Sequence, residues 1–342
     1  MPIDIHAHYI PPELITAIGD RGADIGVRLR TTSDGQPPAV AFDYGFAVRP
    51  FFPQLVEPVE RRRASLDRQG LDRQFVATWP DIYGYGLPRE ACAAWHRMLN
   101  DTLAAWCRNH SDRFSFVASL PLINSDDAAA ELDRVAGLGA VAVMVAANVE
   151  GVNIGECQLD GLWARSQERG LPIILHPVFV ERSARVARFG LTQIAQYTFD
   201  TTLGVGSLIF SGVLDRFPEL KLVLSHGGGT FPYLLGRFDV MHERMPRAAQ
   251  GDVARMLPSA YASRIAYDTI LHSPKALRFL ADAVGVGQLM LGTDESFPPA
   301  DRDPLPSLKQ AGFSATEIQM IVDTNPRRIF FPGLNSSKQN VS

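Results

Sequence analysis

Short runs rich in Val, Ile and Phe recur along the chain, separated by stretches in which apolar residues return every three to four positions. This alternation of strand-like and helix-like pattern constrains the fold more than any other feature. Eight strand-like runs fall at 2–8, 74–78, 115–120, 141–147, 172–176, 221–226, 265–268 and 288–294. The amphipathic stretches lie at 58–69, 88–109, 128–138, 162–170, 202–217, 233–244, 275–284 and 315–323. Trp95, Met98, Leu99, Leu103 and Trp106 carry the helical stripe most clearly. Repeated βα units predict an α/β fold built on a parallel sheet, and eight of them predict a (β/α)8 TIM-like barrel. Since such a barrel needs roughly 250 residues, 342 leave length for insertions. One domain over 1–334 is expected, with the stretch 11–52, dense in Gly, Pro, Asp and Thr, inserted after strand 1. On a βα connection of the catalytic face, that insertion is expected to serve as a lid or substrate-binding flap. Residues 335–342 are polar and predict a flexible tail.

Composition narrows the chemistry. A net charge of −4 leaves no basic excess for a phosphate backbone, so no nucleic-acid partner is expected. No long apolar stretch occurs and the N-terminal residues do not read as a signal peptide, so a cytoplasmic location without membrane contact is expected. Cys92, Cys107 and Cys157 are odd in number and lack CxxC spacing, which argues against disulfides and a thiolate metal site. A metal would have to be held by His and carboxylates.

His6 and His8 lie two apart in the first strand, where period-two alternation sends both imidazoles, with Asp4, to one face. An HxH pair alone could equally be core. His176, His226 and Asp294, however, each end another strand-like run, at the rim where barrel enzymes assemble their sites. Four imidazoles and a carboxylate suit a borderline divalent cation, with zinc as the first expectation and manganese as the alternative. His96, His110 and His242 fall on or at the ends of helices, where solvent-facing or capping roles are expected, whereas His272, after strand 7, could touch the site. The chain has four lysines, Lys221, Lys275, Lys309 and Lys338. None lies on strand 4, so no bridging carboxylated lysine is available there and one metal ion is expected. Gly227-Gly228-Gly229 lacks the spacing of a phosphate loop and reads as room for the metal pocket. Glu60-Arg61-Arg62-Arg63 reads as an exposed helical face.

His6-Ala7-His8, His176-Pro177, His226 with its three glycines, Phe231-Pro232, Gly236-Arg237 and Gly292-Thr293-Asp294 with Phe297-Pro298 together resemble the amidohydrolase superfamily. The resemblance is to the branch of 2-amino-3-carboxymuconate-6-semialdehyde decarboxylase and related aromatic-acid decarboxylases. It implies a metal-dependent carboxy-lyase acting on a small carboxylated substrate. It further implies His6, His8, His176 and Asp294 as metal ligands, with His226 beside the metal-bound water as acid–base and Asp294 also counted among the catalytic groups. Arg237 matches an arginine that reaches the neighbouring subunit's substrate carboxylate, implying a homodimer; Arg49 is the candidate second carboxylate-binding arginine, and Phe297 matches an aromatic of the pocket. Where the family usually continues Asp-Tyr-Pro-Phe, this chain reads Asp294-Glu295-Ser296-Phe297, and Glu295 could point into the site or away from it. A mononuclear hydrolase or hydratase is the alternative activity, and a non-catalytic barrel that binds a carboxylated ligand is the alternative class.

Overall fold

The computed structural model describes residues 1–31, 37–179, 184–245 and 254–331. Eight strands form one parallel sheet in sequence order: β1 (Ile3–His8), β2 (Arg73–Ala77), β3 (Phe114–Ser119), β4 (Ala142–Ala146), β5 (Ile173–His176), β6 (Leu222–Leu224), β7 (Ala266–Asp268) and β8 (Leu289–Met290). The sheet closes on itself, because Ile5 N–H donates to the Leu291 carbonyl at 2.9 Å and Ala7 bridges Glu295 in parallel. All eight strands were legible as apolar runs. The last is shorter than its pattern, since after Met290 the backbone leaves the regular ladder and reaches positive φ at Asp294.

Alternate residues of the strands build two cores. Ile3, Ile5, Phe75, Val117, Met144, Ile174, Val223, Ala266 and Met290 fill the barrel, while Val76, Phe116, Val143, Leu175, Leu224, Tyr267 and Leu291 pack outward. The helices covering that outer layer are α1 (Val59–Gln69), α2 (Arg89–Asn109), α3 (Ser125–Gly137), α4 (Asp160–Arg169), α5 (Tyr197–Phe210), α6 (Phe231–Arg244) and α7 (Pro274–Val284). The expected helix 202–217 begins earlier and breaks at Gly212, whose φ of 73° starts a separate turn, Val213–Arg216. The expected helix 315–323 passes from Ala315–Gln319 into a π-helical turn, Met320–Thr324. Phe330 then packs edge-on against Phe75, 4.9 Å between centroids, and plugs the barrel end where the strands begin.

The insertion is more ordered than its turn-rich composition suggests. It contains a helix, Pro12–Arg21, and an antiparallel pair, Val27–Arg30 with Ala39–Phe42. Val27, Val40 and Phe42 are buried, and Phe42 meets Trp95 of α2. Phe51 and Phe52 then carry the chain back over Trp79, so this segment walls the mouth of the barrel. The tail expected at 335–342 lies outside the described residues. Among those described, no helix is long and apolar enough to cross a membrane.

Arg62 overturns the reading of 60–63 as a solvated face. It is 1% exposed, donating to Ser296 Oγ at 2.8 Å and to Gln74 Oε1 at 2.7 Å. Burial of a guanidinium is tolerable because these acceptors replace water. A charge run in sequence does not reveal that one of its members faces the sheet.

Candidate active site

β1 is not a regular strand. Asp4 pairs with Gln74 but Ala7 with Val76, so one extra residue is accommodated between them. Such a bulge resets the alternation of faces. Ile3 and Ile5 face the barrel interior, and after the bulge His6 and His8 face it too. Asp4 is thereby separated from the pair it was expected to join. It accepts from Gln74 Nε2 at 2.8 Å and from Thr293 Oγ1 at 2.6 Å, tying β1 to the strands on both sides. Burial pushes its carboxyl up to about 7 against these hydrogen bonds.

Each histidine at the centre is oriented by an acceptor on its Nδ1. His6 Nδ1 lies 2.7 Å from Asp268 Oδ2, His8 Nδ1 3.2 Å from the Thr78 carbonyl, and His176 Nδ1 2.6 Å from the Pro177 carbonyl. A carbonyl or ionised carboxylate can only accept, so each Nδ1 carries the proton and the neutral ring offers Nε2 as a bare lone pair. The Nε2 atoms of His6 and His8 face each other at 3.0 Å, and His8 Nε2 is 3.4 Å from Asp294 Oδ1. His176 Nε2 and Asp294 Oδ1 are buried without a hydrogen-bond partner. Lone pairs converging in a buried space repel one another unless a cation sits between them. Although burial opposes protonation, the Asp268 hydrogen bond raises the pKa of His6. Burial lowers that of His8, and burial followed by the other imidazoles takes His176 well below its ordinary range.

Potential ligand atoms of His6, His176, His226 and Asp294 all lie within 4.8 Å of one another, a spacing that could hold one metal ion. His8, expected as a ligand, is not of that set, whereas His226 is; since His8 Nε2 lies 3.0 Å from His6 Nε2 and 3.4 Å from Asp294 Oδ1, five groups crowd one point. His226 differs from the others: its side chain is 15% exposed, and its Nε2 lies 3.7 Å from Asp294 Oδ2. Burial opposes ionisation of Asp294, yet the His226 imidazole beside its Oδ2 holds its pKa well below the usual carboxylate range. Both His226 (φ 52°) and Asp294 (φ 56°) occupy the left-handed region. Non-glycine residues rarely do so, and such strain concentrates at functional sites.

Asp268, absent from the sequence expectations, belongs to the site, as do Trp79, Asp81 and Tyr197 of the cavity wall. Besides holding His6, Asp268 accepts from the backbone N–H of His226 at 2.9 Å and of Gly227 at 2.8 Å, so one carboxylate fixes groups from two strands. Its signal was an acidic residue ending a predicted strand, the same signal that singled out Asp294. Gly292 makes the arrangement possible, since a Cβ there would crowd Asp268 Cβ at 3.0 Å and His6 Cβ at 3.2 Å. The glycines after His226 do not simply leave room for the pocket. Gly229, at φ 63°, lies so close to the Thr198 carbonyl that no side chain fits.

A cavity of about 580 Å³ opens beside this cluster, lined by His176, His226, Asp294, Arg49, Trp79 and Phe297 among others. Arg49 lays its guanidinium 3.7 Å from the centroid of the Phe52 ring. His272 also lines the cavity. Arg237 does not: it is exposed on α6, so within a single chain it stands apart from the site. Glu295 turns away, accepting from Ser65 Oγ at 2.7 Å and Gln69 Nε2 at 2.9 Å on α1. His96 is buried rather than solvent-facing, with Nδ1 2.8 Å from Ser119 Oγ, and burial lowers its pKa to about 3.

A family model described as amidohydrolase matches residues 3–331. The 2-amino-3-carboxymuconate-6-semialdehyde decarboxylase of Dictyostelium discoideum is 28% identical over 281 residues, covering 81% of this chain and 77% of the relative. The crystal structure of 5-carboxyvanillate decarboxylase from Sphingomonas paucimobilis superposes with a TM-score of 0.80 at 22% identity, covering 96% of this chain and 98% of that one. The enzyme of that name from Novosphingobium aromaticivorans, complexed with manganese and 4-hydroxy-3-methoxy-5-nitrobenzoic acid, gives 0.80 at 20% identity, with 96% of each chain covered.

Proposed function

The chain belongs to the amidohydrolase family, and from that premise we propose that it is a metal-dependent decarboxylase releasing carbon dioxide, without an oxidant, from a small carboxylated aromatic or muconate-semialdehyde-type acid. The observation that carries this reading is the convergence of bare Nε2 lone pairs and an unpartnered Asp294 oxygen on one buried point at the edge of an open cavity. His6, His8, His176 and Asp294 would hold the ion. Imidazole and carboxylate donors suit zinc or manganese, and the manganese of the Novosphingobium enzyme keeps both as candidates. Bound there, the ion would supply Lewis acidity, drawing electron density from the substrate as the carboxylate carbon departs.

The chain's own residues would do the rest. Decarboxylation replaces a carbon–carbon bond by a carbon–hydrogen bond, so one proton must reach the carbon that carbon dioxide leaves. His226, partly exposed and facing the cavity, is the group we assign to carry it. Arg49 would pair with a substrate carboxylate, for which a planar guanidinium is suited. Trp79 and Phe297 would cover the ring and exclude water, disfavouring localised carboxylate charge relative to the delocalised charge of the transition state.

The assembly we propose is a homodimer in which Arg237 reaches the partner's site. Supporting it, α5 and α6 expose Phe199 at 52%, Leu203 at 58% and Tyr233 at 79%, on the same pair of helices that carries Arg237. Apolar side chains clustered at the surface favour association.

The test combines metal analysis of the purified protein with a screen of hydroxybenzoates and muconate semialdehydes for gas release in heavy-oxygen water. Stoichiometric carbon dioxide, abolished by chelation and restored by one equivalent of metal, is expected. Solvent oxygen in the product without gas would replace the lyase by a hydrolase or hydratase. Turnover unaffected by complete metal removal would overturn the reading.

A further inference from the structure

The cavity has a polar wall outside the metal-type cluster, built from segments far apart in the chain. Asp81 follows β2 in the short helical turn Pro80–Ile82. Tyr197 opens α5 directly after the π-helical turn Thr192–Gln196. Both line the cavity with His176, His226 and Asp294, and Arg49 stands beside them. π-Helical turns are uncommon, and where they occur they are frequently associated with functional positions.

The hydrogen-bond inventory of this wall is asymmetric. Tyr197 Oη donates its proton to Asp81 Oδ2 at 2.9 Å, and Phe179 N–H donates to Asp81 Oδ1 at 2.8 Å. A phenol has one proton and an ionised carboxylate has none. With its proton committed to Asp81, Tyr197 can offer the cavity only oxygen lone pairs. Arg49, in contrast, can only donate. The cavity therefore presents an acceptor and a donor on separate residues, and a ligand that fits both must carry complementary groups at two positions.

We propose that the Tyr197–Asp81 pair determines specificity by accepting a hydrogen bond from a neutral donor, a ring hydroxyl or amino group, on the carboxylated aromatic substrate. This rests on the decarboxylase reading above. A site built to accept a donor discriminates strongly against an analogue lacking it, because the acceptor, covered by the bound ligand, is then left unpaired. Acids bearing the extra hydroxyl or amino group should therefore be preferred to the same acids with hydrogen or methoxy at that position.

The experiment measures kcat/KM of the metal-loaded enzyme for matched acids differing only in that substituent, together with their dissociation constants by calorimetry. Asp81→Asn is the informative variant. Its amide oxygen can still accept from Phe179, while its NH2 donates to Tyr197 Oη and turns the phenol proton towards the cavity. The preference for the donor over the methoxy analogue should fall about tenfold or more, with the methoxy acid gaining. Tyr197→Phe should lose the preference without that gain, and serves if Asp81→Asn fails to fold. A purely structural role would lower activity on all the acids together and leave their ratio in place. A ratio within about twofold of wild type in the folded variant overturns the proposal. If the wild-type enzyme releases no carbon dioxide from either series, the decarboxylase reading falls, and the calorimetric ratios still judge this pair.

Discussion

At the residue scale, the central distinction is between groups that would hold the ion and the group that would move the proton. His226→Ala should retain close to one equivalent of metal yet lose at least about a hundredfold in kcat, as expected for removal of a general acid–base; metal analysis beside steady-state kinetics separates the two. Loss of metal instead would make His226 a ligand. Asp268→Asn should behave in the opposite way. The amide cannot act as the carboxylate acceptor on His6 Nδ1 and also hold the His226 and Gly227 amides, so metal affinity should weaken about ten- to a hundredfold. Competition with a chromophoric chelator would measure it, and an unchanged affinity would remove Asp268 from the site. His6, His8, His176, His226 and Asp294 were legible because polar groups ending apolar runs are conspicuous. The carbonyls of Thr78 and Pro177 were not, since every residue has a carbonyl and only the folded backbone aims it.

At the scale of elements, irregularities set the geometry. The bulge in β1 keeps two histidines on the inner face and sends Asp4 to Gln74 and Thr293, whereas strict alternation would put all three together. Arg62 of α1 clamps Gln74 from the other side and reaches Ser296 beyond β8. Arg62→Ala should therefore cost about 2–4 kcal/mol in urea unfolding, combining a cavity with acceptors left unpaired; a loss near zero would mean that these partners find others. The connection after β5 offers a pH-dependent case. Asp200 accepts from Asn148 Nδ2 at 2.9 Å and Val178 N at 3.0 Å, yet burial pushes its pKa up to about 6. The folded state therefore binds this proton more tightly than the unfolded chain. The stabilisation from that proton is full below the ordinary carboxylate range and is lost as pH rises through about 6. Relative to Asp200→Asn, the wild type should lose up to about 3 kcal/mol between roughly pH 4 and 6. Parallel stability profiles for the two proteins would refute it.

At the scale of the whole molecule, the dimer proposed above makes a prediction that no single chain can satisfy. Arg237→Ala and His226→Ala should each be inactive alone, but a mixed population of the two should regain about a quarter of wild-type activity, because half the dimers are then mixed and each has one intact site. No recovery on mixing, with both variants folded and exchanging subunits, would return Arg237 to the surface. The barrel itself was determined by sequence alone: strand and helix periodicities are local, and they mark each βα unit without reference to its neighbours. So were the donor types of the site, since His and Asp at strand ends can be read one strand at a time. Only the tertiary structure decided the order within the insertion, the burial of Arg62, the outward turn of Glu295, the orienting role of Asp268 and the pairing of Tyr197 with Asp81. Each of these depends on which distant groups meet. That is settled by closure of the sheet and packing of the helices over it, and no local pattern encodes it.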